Sequence, residues 1–378
     1  MRGVLFYIEA GKGHYIPAKA IHESMAKLGH ESILQDLLLV VDTKFLHWFT
    51  KFVWRFMLHF PNYERKSSEK NDDPAKWRRY VGLAIFLYKK KFNTWLETVE
   101  PDFILTTHFI GGILLPSLLK ACNKNIPLYL YSADVFMCPR VGLSNDLDKL
   151  YVPSQFGVDW VIAQGQQPDR TALCAFPLQH KFSGISKLTK HEAREKLKLK
   201  EKFTILLSLG GEGIGTTEFV EEAHRCKLDI QVLLIGNISG STRIKYDIFM
   251  AAHPRFDIHP IGYVQNIHEY FLAADIVVGK QGANTLMEAI YMHRPCLISE
   301  ELYTARYSSD YLRTHGIGWS ESEPQKQVQI IAECMADPDY DIKMEQRFLH
   351  IPLKFSADEF ALQILQDTKD IMESRVLA

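Results

Sequence analysis

The chain has 378 residues, 47% of them hydrophobic and 24% charged, with 44 Lys and Arg set against 45 Asp and Glu. That length gives room for two cores, the composition is that of a soluble globular protein, and the near-neutral balance argues against bulk nucleic-acid binding. Six scattered cysteines without Cys-x-x-Cys spacing read as reduced cytoplasmic thiols rather than a disulfide framework or a metal site, and no apolar run is long enough to span a bilayer.

Residues 4–8 (VLFYI) form a continuous apolar run, as a strand buried on both faces should. The loop Gly11-Lys12-Gly13-His14 follows, then a helical pattern over 18–28 that stops at Gly29. The order strand, glycine loop, helix predicts a ligand-facing turn carrying a histidine, although the third glycine of a dinucleotide fingerprint is missing. The alternative for His14 is a simple helix cap.

Phe45, Phe49, Phe52, Val53, Phe56 and Phe60 recur at helical spacing, Lys44, Lys51 and Arg55 fall on another face, and Trp48 and Trp54 stand among them. A basic amphipathic helix of this kind predicts peripheral attachment to an anionic membrane through Phe45, Trp48, Phe49, Lys51, Phe52, Trp54, Arg55 and Phe56. The alternative is that the rings are core and the cations a solvated face. Residues 44–91 hold twelve Lys and Arg against four Asp and Glu, so the basic zone is local. Within it, residues 65–79 read as a polar loop and 80–95 as a second basic helix.

Strands are predicted at 103–105, 128–131 and 151–152, with a helix over 113–122. Ligands gather at the carboxyl ends of parallel strands, so His14, His108 and Asp134 are expected to converge; Asp134 could instead cap its own turn. Residues 177–202 are polar and basic and read as a hinge containing a short helix over 191–197. Further strands are predicted at 204–209, ending in the turn Gly210-Gly211-Glu212-Gly213, and at 232–235, 256–261, 276–278 and 296–299. A last helix covers 357–372.

The strongest stretch is ADIVVGKQGANTLMEAIYMHRPC, where a strand gives way to Gly279-Lys280-Gln281-Gly282 and a helix begins at Ala283. A helix N-terminus presents unpaired N–H groups and about half a positive charge, which suits a phosphate. Asn284, Thr285 and Glu288 would share one helix face, with the carboxylate one turn further in, at a distance that suits a ribose diol.

This stretch, with Gly262-Tyr263-Val264 before it and Gly-Gly-x-Gly at 210–213, resembles the nucleotide-sugar site of GT-B glycosyltransferases. The likeness is to the branch containing the peptidoglycan N-acetylglucosaminyltransferase, the plant monogalactosyldiacylglycerol synthases and the processive diacylglycerol glucosyltransferases, and it covers most of the chain. The resemblance implies an α/β fold of two Rossmann-like parallel-sheet domains facing a central cleft. Residues 1–180 would form the acceptor and membrane domain, 181–202 the linker, 203–354 the nucleotide-sugar domain and 355–378 a helix crossing back. It further implies a UDP-sugar donor bound by Gly211, Gly213, Val264, Gly282, Asn284, Thr285 and Glu288. An acceptor loop would use Gly11, Gly13 and His108, and catalysis His14 and Asp134, the latter as base or as histidine partner.

The expected function is an inverting, metal-independent hexosyltransferase that needs no cofactor and acts on diacylglycerol or a related lipid at the cytoplasmic face of a membrane. The Asp-x-Asp matches Asp146-Leu147-Asp148 and Asp337-Pro338-Asp339 follow no convincing strand. Two departures from the resembled pattern stand out: Ala133 replaces a threonine, and Glu300-Glu301-Leu302-Tyr303-Thr304-Ala305-Arg306 replaces the segment that usually reads the sugar. A different acceptor, a UDP-sugar epimerase, or a non-catalytic nucleotide-sugar-binding protein are the alternatives.

Overall fold

In the computed structural model the short apolar runs pair into two six-stranded sheets, and every pairing in both is parallel. The structure describes residues 1–9, 12–40, 44–182, 188–209, 217–238, 240–280, 282–303 and 306–377, without the side chains of 44–46 and 61. Gly11, Gly211, Gly213 and the side chain of Phe45, all expected at sites, lie outside the described residues. The chain divides into one unit of Met1–His180 with Pro352–Ala378 and another of Lys181–Ile351.

The first unit contains β1 (Arg2–Tyr7), β2 (Glu31–Asp36), β3 (Phe103–Thr106), β4 (Leu128–Tyr131), β5 (Lys149–Val152) and β6 (Thr171–Leu173), in the order β2-β1-β3-β4-β5-β6. Its helices are α1 (Tyr15–Lys27), α2 (Leu37–Val40), α3 (Lys44–Leu58), α4 (Pro61–Asn71), α5 (Pro74–Val99), α6 (Phe109–Ala121) and α7 (Gln155–Ala163). The inner strands are apolar because helices cover both faces: Val4, Leu5, Phe6, Ile104, Leu105 and Leu130 are all buried. β2 and β6, both at edges, lack such runs and were not expected from the sequence.

Residues 65–79, expected as a loop, are helical apart from Asp72 and Asp73. α4 starts with Pro61 in its first turn, and α5 starts at Pro74 after Asp73, whose side chain accepts from the Ala75 amide at 2.9 Å. Proline inside a helix start preceded by an aspartate cap is a start signal. It was masked here by the almost wholly polar face of α4, which buries little.

The second unit contains β7 (Phe203–Ser208), β8 (Ile230–Ile235), β9 (Asp257–Gly262), β10 (Ile276–Lys280), β11 (Cys296–Glu300) and β12 (Gly318–Ser320), in the order β12-β11-β10-β7-β8-β9. Its helices are α8 (Lys190–Lys196), α9 (Glu218–Arg225), α10 (Gly240–Ala252), α11 (Ile267–Ala273), α12 (Ala283–Tyr291), α13 (Arg306–His315), α14 (Pro324–Ala336) and α15 (Tyr340–Phe348). α8, in the segment read as a hinge, is tied to this sheet. Buried Arg194 donates to Asp275 at 2.6 Å and to the Ala273 carbonyl at 3.0 Å, and Asp275 also takes the Thr204 amide at 2.6 Å.

The last helix, α16 (Ala357–Leu377), packs in the first unit. Phe360 is fully buried, with ring centroids 5.3 Å from Tyr131 and 5.0 Å from Tyr151, and Tyr129 and Tyr151 are hydrogen-bonded to Thr368 and Asp367. Phe360→Ala should therefore destabilise the protein by about 3–5 kcal/mol, read from a urea unfolding midpoint. A loss below about 1 kcal/mol would show that α16 is not part of this core.

Candidate active site

The order of each sheet fixes where a ligand can enter. In the first unit the chain runs from β1 to β2 on one side and then returns to place β3 on the other side of β1. In the second unit β7 leads outward to β8 and β9, and the chain then returns to place β10 on the other side of β7. At such a reversal the loops leaving neighbouring strands diverge and open a crevice at the carboxyl ends. The pairs are β1/β3 and β7/β10, and the singled-out loops follow these strands.

In the second unit, Gly279 has φ +146°, and a Cβ there would lie 2.4 Å from the Ser208 carbonyl oxygen of β7. Only glycine lets β10 end this close to its neighbour. Gly282, the N-cap of α12, is different: its φ is −79° and a Cβ would meet nothing within 4 Å. Its lack of a side chain leaves open the approach to the first turn, where no side chain caps the helix among the described residues. The amides of Ala283, Asn284 and Thr285 thus face a clear, electropositive helix end.

Asn284 and Glu288 are buried and Thr285 is half-buried. Burial pushes the Glu288 carboxyl up to about 7, with Lys181 pulling the other way. Its proton is therefore easily exchanged near neutrality, and a hydroxyl pair supplied by a ligand would favour the ionised form by hydrogen bonding. At the end of β9, Gly262 takes φ +74°, Tyr263 is exposed and Val264 is half-buried.

In the first unit, the loops after β1 and β3 bring His14 and His108 together, with ring centroids 4.2 Å apart. His14 Nδ1 lies 2.6 Å from the Thr107 carbonyl oxygen, and the Thr107 hydroxyl donates to the His14 carbonyl at 2.9 Å. A carbonyl can only accept, so Nδ1 carries the proton and Nε2 presents a lone pair. Burial holds His14 down to about 4, against the opposing Thr107 bond. At neutral pH the ring is an uncharged base.

His108 is buried and caps α6, its Nδ1 accepting from the Ile110 amide at 3.2 Å. That bond places its proton on Nε2, and burial, with His14 beside it, holds His108 well below the usual histidine range. Asp134 was expected as a partner for His14, but the atom that holds His14 is the Thr107 carbonyl. Asp134 is half-buried just beyond β4 and opens a tight turn, its carbonyl accepting from the Met137 amide at 3.2 Å. Gly13 is exposed, and a Cβ there would meet nothing within 4 Å.

Among the described residues, the group spaced to hold a metal ion is Glu9, Asp36 and His47, with ligand atoms within 4.8 Å of one another. Lys51 already stands 2.7 Å from Glu9, His47 Nδ1 is 3.1 Å from Asp36, and Asp36 accepts the amides of Glu9 and Leu38. The cluster thus ties α3 to the loop and strand beside it, and Lys51, expected to face lipid, is partly exposed and paired with Glu9. Asp148 and Asp337, from the two Asp-x-Asp matches, bond Arg375 and Lys343.

The outer face of α3 shows Trp48, Phe49, Phe52 and Phe56, each about half exposed, with Arg55 exposed beside them and Trp54 half-buried. Trp48 and Phe52 stack at 5.6 Å. α5 exposes Tyr80, Leu83, Leu87 and Phe86, the last at 84%, a further apolar face that the sequence reading did not single out. Among the described residues no helix is long and apolar enough to cross a membrane.

Comparison with known proteins follows the same division. Residues 216–347 match the Glycosyltransferase family 28 C-terminal domain. The chain is 19% identical to the processive diacylglycerol beta-glucosyltransferase of Bacillus licheniformis over 368 residues, 97% of this chain and 94% of that protein. It is also 19% identical to monogalactosyldiacylglycerol synthase 3 of Arabidopsis thaliana, over 79% of this chain and 66% of that one. Among solved structures, Acinetobacter baumannii MurG aligns with a TM-score of 0.64 at 11% identity over 98% of this chain and 100% of its own. The Staphylococcus aureus MnaA–UDP complex gives 0.63 at 11% over 98% and 96%.

The two parallel sheets and these likenesses define a protein with the GT-B fold of glycosyltransferases. The match to the Glycosyltransferase family 28 C-terminal domain falls within the second unit, Lys181–Ile351.

The state of His14 is directly testable. An unfolded histidine takes a proton near its ordinary value of 6.5, whereas folded His14 resists until about 4. Protons therefore favour the unfolded chain in that window, so this residue makes stability fall as pH drops from 6.5 towards 4. NMR of ring-labelled protein should show His14 titrating near 4, and His14→Asn should flatten part of the stability loss. A His14 titration near 6.5 would contradict the half-buried, neutral ring.

Proposed function

We propose that this protein is an inverting glycosyltransferase that moves a hexose from a UDP-sugar to a membrane lipid, with diacylglycerol as acceptor. The observation that carries the reading is the neutral His14 ring, whose bare Nε2 stands at the β1/β3 crevice, while α12 offers an open N-terminus at the β7/β10 crevice. The named activity of the Bacillus relative, which aligns along almost the whole chain, supports the acceptor.

On this reading Nε2 of His14 takes the proton of the acceptor hydroxyl as its oxygen attacks the anomeric carbon, giving inversion. The diphosphate departs against the amides of Ala283 to Thr285, where the helix dipole meets the growing negative charge. Glu288 accepts the ribose hydroxyls, Val264 flanks the base, and Gly211 and Gly213 allow close approach of the nucleotide. The Thr107 carbonyl fixes the tautomer of His14 and favours the imidazolium that forms. His108, with its proton on Nε2, can donate to the acceptor, and Asp134 and Gly13 border the same loops. The charge on the leaving group is thereby assigned to the helix and not to a metal ion, and no further cofactor enters.

The aromatic faces of α3 and α5 would lie in the acyl boundary with Arg55 among the headgroups, holding the protein as a peripheral component on the cytoplasmic side of an anionic membrane. An exposed apolar surface of this kind favours a lipid acceptor over a soluble one or an epimerase, neither of which needs it.

Three outcomes follow. Vesicles of diacylglycerol and anionic lipid incubated with UDP-glucose, UDP-galactose or UDP-N-acetylglucosamine should yield a diacylglycerol heavier by one sugar in mass spectrometry; a lipid that gains nothing from any donor refutes the acceptor. His14→Ala should lower turnover by roughly 10²–10⁴-fold with UDP affinity retained, and unchanged turnover would remove His14 from catalysis. In vesicle pelleting, replacing Trp48, Phe52 and Phe56 together by Ser should release the protein from anionic vesicles, and equal pelleting of the variant would contradict the docking face.

A further inference from the structure

Lys280 and Glu300 close the carboxyl ends of β10 and β11, and their charged groups bond each other. Simple strand pairing would not bring them together. The register runs Val277 to Cys296, Val278 to Leu297 and Gly279 to Ile298, and then jumps by one residue so that Lys280 faces Glu300. A bulge of this kind re-aims a side chain and is frequent beside active sites. The pair is partly buried, with side-chain exposures of 18% and 35%. The bulge thus sets where the Lys280 ammonium is held, which can serve a purpose beyond folding.

Its location supplies one. Only Gln281 separates Lys280, the last residue of β10, from Gly282, the N-cap of α12, so the lysine sits two residues before the helix end that the proposed reading gives to the diphosphate. The helix end carries about half a positive charge, less than a departing diphosphate needs. A lysine ammonium is a compact charge on a flexible four-carbon stem and can pass from one anion to another. Exchanging a carboxylate for a phosphate keeps it paired throughout.

We propose that Lys280 is a diphosphate-binding residue of the donor site, held by Glu300 until a nucleoside diphosphate displaces that carboxylate. The inference rests on the donor-site reading of α12. Glu300 acts as a built-in competitor for the cation that the ligand must claim, and it keeps Lys280 at the mouth of the turn while the site is empty.

The test compares UDP with uridine, which lacks the phosphates, using titration calorimetry for UDP and ligand-observed NMR for the weaker uridine. Lys280→Met should lower UDP affinity about tenfold or more while uridine binding is unchanged. Lys280→Arg should retain most of the UDP affinity, and Glu300→Gln should raise it severalfold because the competing carboxylate is gone. Matched melting curves would show that the variants fold. Lys280→Met binding UDP like wild type, or losing uridine as much as UDP, would overturn the proposal, as would Glu300→Gln weakening UDP. Wild-type protein that binds neither ligand would instead overturn the donor-site reading itself, and this inference with it.

Discussion

The constraint on which the rest depends is the reversal of strand order in each parallel sheet. Neighbouring strands that leave in the same direction would be bridged by helices packed side by side, with no gap at their ends. The chain turns back at β1/β3 and at β7/β10, and at such reversals the connections diverge to opposite faces and leave a crevice at the strand ends. The two loops with distinctive chemistry, at His14 with His108 and at Gly279 to Thr285, are those that leave these strands.

Each crevice then acquires its character from hydrogen bonding and burial. In the first unit one backbone carbonyl, that of Thr107, decides which nitrogen of His14 is basic, and desolvation keeps the ring unprotonated at neutral pH. In the second unit, the closeness of Gly279 to β7 and the open space at the Gly282 Cβ position go with a helix end that carries no side-chain cap at Gly282. On the proposed reading one loop would receive a proton and the other negative charge, the division of labour an inverting transfer requires. The burial that raises Glu288 to about 7 has the further effect of making this carboxyl responsive to a ligand.

Much of this was legible in the sequence, because buried parallel strands read as unbroken apolar runs and glycine punctuates the turns that matter. Strands β1, β3, β4, β5, β7, β8, β10 and β11 announce themselves in this way. The strands that were missed, β2, β6 and β12, are edges or short, with half-exposed faces and no continuous apolar run. The polar face of α4 hid a helix whose start was marked only by Pro61, and the cap at Asp73 with Pro74 was overlooked in α5. Partnerships across the chain were beyond reach for a different reason. Periodicity places Lys51 on a face of α3, but only the fold reveals that Glu9 lies beneath that face. Likewise, no pattern in the sequence shows that His14 answers to a backbone carbonyl 93 residues away.

Most depends on α12 as the seat of a nucleotide diphosphate. Hydrogen–deuterium exchange with and without UDP measures this at the amides themselves, before any question of acceptor or turnover. The account predicts that UDP slows exchange in the segment from Gly282 through Glu288 and leaves β2 and α1 of the other unit unchanged. Protection confined to other segments, or none anywhere at saturating UDP, would contradict it.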